Sequence, residues 1–359
     1  MDPLTVVRRR LAAHRLGGEP FDRPDGAVAW LGAVQAQEYA EAKWSIGQRV
    51  DGATDAAVEG AFAHGELLRT HALRPTWHAV TPADIRWIVR LTAPRVHALN
   101  RYWYGRFGLD AGVLARGEAV VARALADGAP RTRKELAAAL DQGGIALDGL
   151  RLGYLLMHAE LEEVIVSGQR RGRQQTYALL DQRAPVTGAL ILSRGEAVVE
   201  LARRFFVSRG PATVADFTWW SSLTVADARE ALDALGPELE REEHDGRAWF
   251  AAPESGTDDS TPVALLVPMY DETVVAYRDL KVVMDPPPPR EGLLSRPILV
   301  DGRTVGSWRR TVTARRALIE ATLFGPLDPS GAAALEAAVE RFGRFMERPA
   351  ELRITLATA

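Results

Sequence analysis

The chain contains no cysteine, which excludes disulfides, thiol nucleophiles and Cys-ligated zinc or iron–sulfur sites and fits a reducing cytoplasm. No stretch approaches the ~20 consecutive apolar residues of a membrane span. The N-terminal segment MDPLTVVRRRLAAHRL breaks its apolar residues with charge, so it lacks the uninterrupted core of a secretory signal. The seven histidines are scattered, without an HExxH or similar spacing, and neither a metal nor a cofactor is expected. No heptad pattern announces a coiled coil, so a monomer is expected. The net charge is only −3, so affinity for nucleic acid has to come from local patches. The length, 359 residues, suits two or three units at ~100–200 residues per domain.

Such patches exist. Between Glu66 and Arg106 there are seven arginines against two acids. A second cluster is Arg170, Arg171 and Arg173, and a third is Arg303, Arg309, Arg310, Arg315 and Arg316. Arginines also serve merely to solvate helix faces, but three clusters on an acidic chain favour a polyanionic partner.

The apolar residues Ala27, Trp30, Leu31 and Val34 mark one face of a helix that runs into Gln35-Ala36-Gln37. In an extended segment residues two apart share a side. If the helix ends near Val34, both amides point into one cleft while Ala36 packs inward. A carboxamide does not ionise; it can only donate and accept hydrogen bonds. Two side by side can hold a water, a base edge or a sugar. A solvated surface pair is the ordinary alternative.

An internal repeat organises the middle of the chain. Pro130-Arg131-Thr132-Arg133-Lys134-Glu135-Leu136 recurs, 81 residues on, as Pro211-Ala212-Thr213-Val214-Ala215-Asp216-Phe217. In each copy a Thr with an acid three residues later predicts a capping box. An amphipathic helix precedes each (around 120–125 and 198–206) and another follows (150–161 and 225–235). Each copy then ends in a pair of short strands. In the first these are 163–167 and 175–180 about a turn bearing Arg170, Arg171 and Arg173. In the second they flank His244-Asp245-Gly246, a strong hairpin signal. Three helices and a hairpin is the order of a winged helix, in which one helix enters a DNA groove and the wing tracks phosphates. The second wing is acidic (Glu240, Glu242, Glu243, Asp245), so that copy reads as structural or protein-facing.

The N-terminal stretch reads as a third, degenerate copy. Its helices are expected at 4–14, 26–34, 40–49 and 56–63, followed by a hairpin-like segment over 67–80 and a helix capped by Thr81-Pro82-Ala83-Asp84. Beyond a polar linker at 256–260 the chain turns β-rich. Strands are expected at 263–267, 274–277, 281–284, 297–300, 304–308, 309–317 and 351–356, with a stiff proline run at 286–289 and a helix over 332–346. The fold class is therefore mainly α with β hairpins (α+β). Four divisions are expected: winged-helix units at 1–110, 111–185 and 186–254, and a mostly β subdomain at 255–359.

Four segments resemble the AlkZ/AlkX family of bacterial DNA glycosylases. They are Leu31-Gly32-Ala33-Val34-Gln35-Ala36-Gln37, residues 68–78 (LRTHALRPTWH), Pro82-Ala83-Asp84 and residues 299–310 (LVDGRTVGSWRR). The resemblance spans nearly the whole chain and implies a C-shaped tandem of three winged helices with a C-terminal β element. Some members carry an acid at the second signature position; Gln35 and Gln37 follow the Gln-apolar-Gln type without departure. It further implies hydrolysis of the N-glycosidic bond of N7-alkylated purines in double-stranded DNA. Unhooking of interstrand crosslinks is included, in self-resistance to an azinomycin-like alkylating natural product. The setting would be the cytoplasm, at the nucleoid.

That chemistry suits the residues. A base alkylated at N7 already carries positive charge, so no strong general acid is needed to protonate the leaving group. What is needed is a water held under C1′, and an amide orients water without adding charge, as the water-positioning Gln of some GTPases does. Gln37 is assigned this role, with Gln35 sharing the water or touching the nucleotide. Arg74, Thr76 and His78 alternate on one face of an extended segment and are candidates for DNA contact, His78 equally for a structural role. Arg303, Arg309 and Arg310 lie on or beside a hairpin suited to a groove. The few lysines are remote from the amides except Lys43 in the next helix, which favours a monofunctional enzyme. The competing reading is a winged-helix transcriptional regulator, which leaves Gln35 and Gln37 without a role.

Overall fold

Both repeated Thr residues cap helices through complete capping boxes, Thr132 with Glu135 and Thr213 with Asp216, and the elements around them follow in the expected order. The structure, a computed structural model, describes residues 2–244, 246–253, 263–279 and 296–357. The first copy runs through α6 (Ala111–Ala124), β4 (Arg131–Thr132), α7 (Arg133–Gln142), α8 (Gly149–Leu161), β5 (Ile165–Ser167), β6 (Thr176–Leu179) and the short α9 (Leu180–Arg183). The second has α10 (Arg194–Arg209), α11 (Val214–Ser221), α12 (Val225–Leu235), β7 (Glu240–His244) and β8 (Arg247–Ala251). In the first copy β4 pairs with β6 to give a β4-β6-β5 sheet; in the second a single bridge, Ala212 to Phe250, takes the place of β4.

Ahead of these lie α1 (Pro3–Ala13), α2 (Pro24–Leu31), β1 (Val34–Gln35), α3 (Tyr39–Gly47), α4 (Asp55–His64), β2 (Leu68–Ala72), β3 (Thr76–Val80) and α5 (Ile85–Arg106). Behind them come β9 (Ala264–Leu266), α13 (Glu272–Val275), β10 (Pro297–Val300), β11 (Arg303–Val312), β12 (Ala317–Leu323), α14 (Pro329–Phe345) and β13 (Ala350–Leu356). The last group forms a five-stranded sheet in the order β13-β12-β11-β10-β9. No helix among the described residues is long and apolar enough to cross a membrane.

Among the described residues three large hydrophobic cores and a small fourth one around Leu16, Leu265, Val267 and Leu299 hold these elements, and two of the large ones cross the expected boundaries. One lies within 109–177, around Leu136, Leu140, Leu155 and Tyr177. A second joins α5 to α10–α12 through Trp87, Phe205, Phe206 and Trp220. The third joins α2–α4 to the C-terminal sheet and α14 through Trp44, Trp308, Phe342 and Phe345. The indoles are also satisfied across that seam, Trp44 Nε1 donating to Leu266 O at 2.7 Å and Trp308 Nε1 to Val267 O at 2.8 Å.

Several local expectations need correction. Residues 274–277 are not a strand: Asp271 caps a helical turn, accepting from Thr273 N at 2.9 Å. The stretch 309–317 is not one strand, because the chain reverses at 313–316 and β12 pairs antiparallel with β11. Helix α5 starts at Ile85 rather than next to Thr81. The Asp84 carboxylate is drawn to Thr81 Oγ1 at 2.6 Å, Trp87 Nε1 at 2.9 Å and Arg204 Nη1 at 2.7 Å, so a tertiary ion pair overrides the local cap. The expected linker at 256–260, the strand at 281–284, the proline run at 286–289 and Asp245 lie outside the described residues.

Candidate active site

Helix α2 ends at Leu31 because Gly32 adopts φ +73°, a conformation that costs other residues strain. The chain then runs extended along the edge of β3, Val34 opposite Ala79 and Gln35 opposite His78, and Ala36 N donates to Trp77 O at 2.7 Å. Strand alternation puts Ala36 inward, fully buried, and Gln35 on the other side, and Gln37 follows in a bend just past β1. The surroundings of the two glutamines differ. Gln35 is 8% exposed, and its Oε1 accepts from Arg74 Nη2 at 2.8 Å. A guanidinium can only donate, so this contact orients the amide. Gln37 is exposed, and its Oε1 has only a long contact, 3.4 Å, from Trp77 N.

The backbone of Gln35 is pinned from below. Its N–H donates to Glu272 Oε1 at 2.8 Å. The other oxygen of Glu272 accepts from Arg209 Nη2 at 2.8 Å and Trp220 Nε1 at 2.9 Å. Arg209 in turn donates to Leu31 O at 2.7 Å and Ala33 O at 2.9 Å. Arg209 and Glu272 are completely buried. Next to them Asp271 forms a two-pronged pair with Arg49, both N–O distances 2.9 Å. Burial pushes the Asp271 carboxyl up, but the Arg49 charge and hydrogen bonds from Arg49 and Ser45 outweigh it and hold the group far below the usual range. Thus α10, α11 and α13, distant in sequence, place the amide segment. Sequence reading missed Arg209, Trp220 and Glu272. The available signal was an adjacent acid pair, Asp271-Glu272, in the otherwise uncharged stretch 263–277.

The face of β1, β3 and β2 that carries Gln35 also carries His78 and Thr70, which lie opposite one another. His78 is fully buried and so cannot reach a phosphate. Its Nδ1 donates to Thr76 O at 3.0 Å. Burial, then the Arg74 charge, hold the imidazole well below the usual histidine range, hence neutral. Thr76 is half-buried with its Oγ1 enclosed. Arg74 does not continue the alternation: Leu73 at φ +59° turns the chain, and Arg74 reaches Gln35 instead. On the opposite face Trp77 is sandwiched between Arg69, 4.1 Å from its ring centre, and His71, whose ring centroid is also 4.1 Å away. His71 is hydrogen-bonded to the buried carboxyl of Glu160, which burial pushes up despite the His71 charge.

The arginines fare unevenly. Arg170 folds back over the Tyr39 ring at 4.5 Å and pairs with Glu59 at 3.2 Å, while Arg171 pairs with Glu135. Arg173 is exposed and makes no side-chain bond among the described residues. Along β11, Arg303 and Arg309 point outward whereas Arg310 points into the core, bound to Glu41 Oε1 at 2.8 Å. The Asp301-Gly302 turn cannot enter a groove, since a Cβ at Gly302 would lie 3.1 Å from Val7 of α1. The turn between β11 and β12 is the exposed basic tip, with Arg315 solvent-facing and Arg316 paired to Glu351 at 2.6 Å. Lys43 is held by Asp55 at 2.8 Å and Glu59 at 2.9 Å, 7% exposed, and is not available as an amine nucleophile.

Known proteins resemble this chain in sequence and in fold. Residues 28–345, which include both glutamines, match the family described as DNA glycosylase AlkZ-like. An interstrand DNA cross-link repair glycosylase of Streptomyces sahachiroi is 26% identical over 314 residues, 81% of this chain and 83% of the relative. The solved structure of the Streptomyces sahachiroi DNA glycosylase AlkZ superposes with a TM-score of 0.79 at 21% identity, covering 99% of this chain and 100% of that one, which establishes the shared α+β fold. The chain belongs to the AlkZ-like family of DNA glycosylases.

Proposed function

We propose that this protein hydrolyses the glycosidic bond of N7-alkylated purines in duplex DNA, including purines tied into interstrand crosslinks, through a water held by Gln37. The observation that carries the reading is the difference between the amides. The oxygen of Gln35 is occupied by Arg74, whereas that of Gln37 is on the surface with one weak internal contact. Gln37 is therefore the amide with an acceptor to spare for a water. Gln35, fixed through backbone and side chain, sets the position of Gln37 and faces the nucleotide.

As the C1′–N9 bond breaks, its electron pair neutralises the cationic base, which leaves uncharged. The water oxygen bonds to C1′ and releases its proton to solvent, since an amide is no base. Lys43 being sequestered, the product is an abasic site. A base bonded to the opposite strand cannot be rotated alone into a closed pocket. An exposed Gln37 suits attack from an open cleft. Arg173, Arg303, Arg309 and Arg315 are exposed cations suited to phosphates. Crosslink repair is what the Streptomyces relative is named for, and self-protection from an azinomycin-like agent is the setting this reading carries.

The test is incubation with duplex containing N7-methylguanine, and separately a crosslinked duplex, followed by alkaline cleavage. Abasic sites are expected from both. Gln37→Ala should lose ~2–4 kcal/mol of barrier stabilisation, roughly 30- to 1000-fold in rate, with DNA affinity retained. Tight sequence-selective binding without base release would instead establish a regulator.

A further inference from the structure

Two histidines that sequence spacing keeps apart meet in space. His97 on α5 and His158 on α8 are 61 residues apart, yet their ring centroids lie 4.7 Å from each other. Glu162, one residue past α8, joins them, and the metal-binding atoms of the three side chains all lie within 4.8 Å of one another. His97 Nε2 is 3.1 Å from Glu162 Oε1. That nitrogen is enclosed, so it and the carboxylate oxygen face each other directly. That separation is close to the edge of a tetrahedron with bonds of ~2.0–2.1 Å to zinc.

The outer partners are equally specific. His97 Nδ1 is 3.0 Å from Tyr104 Oη, and His158 Nδ1 is 2.5 Å from Glu118 Oε1. With both Nδ1 atoms engaged, Nε2 of each ring is the nitrogen left for a ligand. A histidine whose other nitrogen bonds a carboxylate or a hydroxyl is the usual setting of a metal-binding imidazole. The cluster is half-buried, His97 at 22% and His158 at 17% side-chain exposure, so an ion from solvent can enter.

We propose that His97, His158 and Glu162 bind one divalent cation of the zinc class, with Tyr104 and Glu118 orienting the two rings and a fourth position left to water. Two nitrogens and one carboxylate oxygen select zinc-type ions over calcium or magnesium. The ion joins α5 to α8 beside α6, so it clamps the 111–185 segment, with its Arg173-bearing turn, to the helix that follows the amide-bearing sheet. The alternative is a solvated histidine–glutamate cluster that binds nothing.

Tag-free full-length protein, stripped with chelator and dialysed, is titrated with Zn2+ against a chromophoric competitor and, separately, with Co2+ in the visible region. One equivalent should bind with a Kd on the order of 1 μM or tighter, Co2+ should give d–d bands of a low-coordinate site, and Zn2+ should raise Tm. His97→Ala or His158→Ala should weaken binding at least ~100-fold and abolish the Tm shift, and Glu118→Gln should weaken it ~10–100-fold. Should the alanine variants misfold, histidine ring resonances of the wild-type protein decide: two imidazoles, assigned through His97→Gln and His158→Gln, must shift on adding Zn2+. Absence of stoichiometric binding, unshifted His97 and His158 resonances, or undiminished affinity in the His97→Ala and His158→Ala variants overturns the proposal.

Discussion

Replacing Glu272 by Gln isolates the buried carboxylate that pins Gln35. Its Oε2 receives Arg209 Nη2 at 2.8 Å, Trp220 Nε1 at 2.9 Å and Arg209 Nε at 3.2 Å, and its Oε1 receives the Gln35 N–H at 2.8 Å. A carboxamide has only one oxygen. Turned toward Arg209 and Trp220, it leaves an NH2 group facing the Gln35 N–H, donor against donor. The reverse orientation sets the NH2 against three donors and is worse. In both, the Arg209 charge stays buried without a counter-ion. Removing one partner of a buried pair costs about 3–5 kcal/mol, and orphaning a buried N–H costs about 1–3 kcal/mol. The two share one network and do not add, so a loss of about 3–5 kcal/mol is expected in urea denaturation. Under single turnover on an N7-methylguanine duplex, excision should slow by about tenfold or more, ~1.4 kcal/mol of barrier. DNA affinity should be nearly unchanged, because Glu272 is fully buried. A stability loss below about 1 kcal/mol would refute the pinning argument, and undiminished excision in a destabilised variant would restrict Glu272 to the fold.

Three further outcomes are expected. His14 and His78 are fully buried and held well below the usual histidine range, His14 by burial and the Arg49 charge, His78 by burial and the Arg74 charge. The unfolded chain therefore binds protons that the folded one refuses. Their contribution is complete above pH ~6.5 and is lost as pH falls below it, by up to about 1.4 kcal/mol per pH unit for each. Denaturation midpoints at pH 7.5, 6.5 and 5.5 check this, and a flat profile contradicts it. Gly47→Ala sets a Cβ 2.3 Å from the buried ring of Phe345, so overpacking of about 1–3 kcal/mol should exceed the helix-propensity gain of about 1 kcal/mol, read as a lower Tm. Arg173→Ala and Arg309→Ala should each weaken DNA binding and flatten the plot of log affinity against log salt by about 0.9, whereas Arg310→Ala, its charge held by Glu41, should act on stability instead.

Local chemistry is what the sequence by itself determined. A Thr with an acid three residues on makes a capping box from atoms four residues span, so α7 and α11 were legible, as were the hairpin of β2 and β3 and the reversal at 301–302. Alternation likewise placed Gln35 opposite the inward Ala36 in an extended segment. Where a distant partner competes for the same atoms, local reading failed. Arg204 takes the Asp84 carboxylate from the start of α5, and Asp271 bends the expected strand at 274–277 into a helical turn bound to Arg49. Tertiary structure alone decided that one amide is buried against Arg74 and the other exposed. It also turned Arg170 and Arg310 to the interior while Arg173 and Arg309 stayed in solvent, and brought His97 to His158. These outcomes depend on pairings between residues far apart in the chain, whose energies are set by burial and by which opposite charge arrives, and no periodicity along the sequence encodes that.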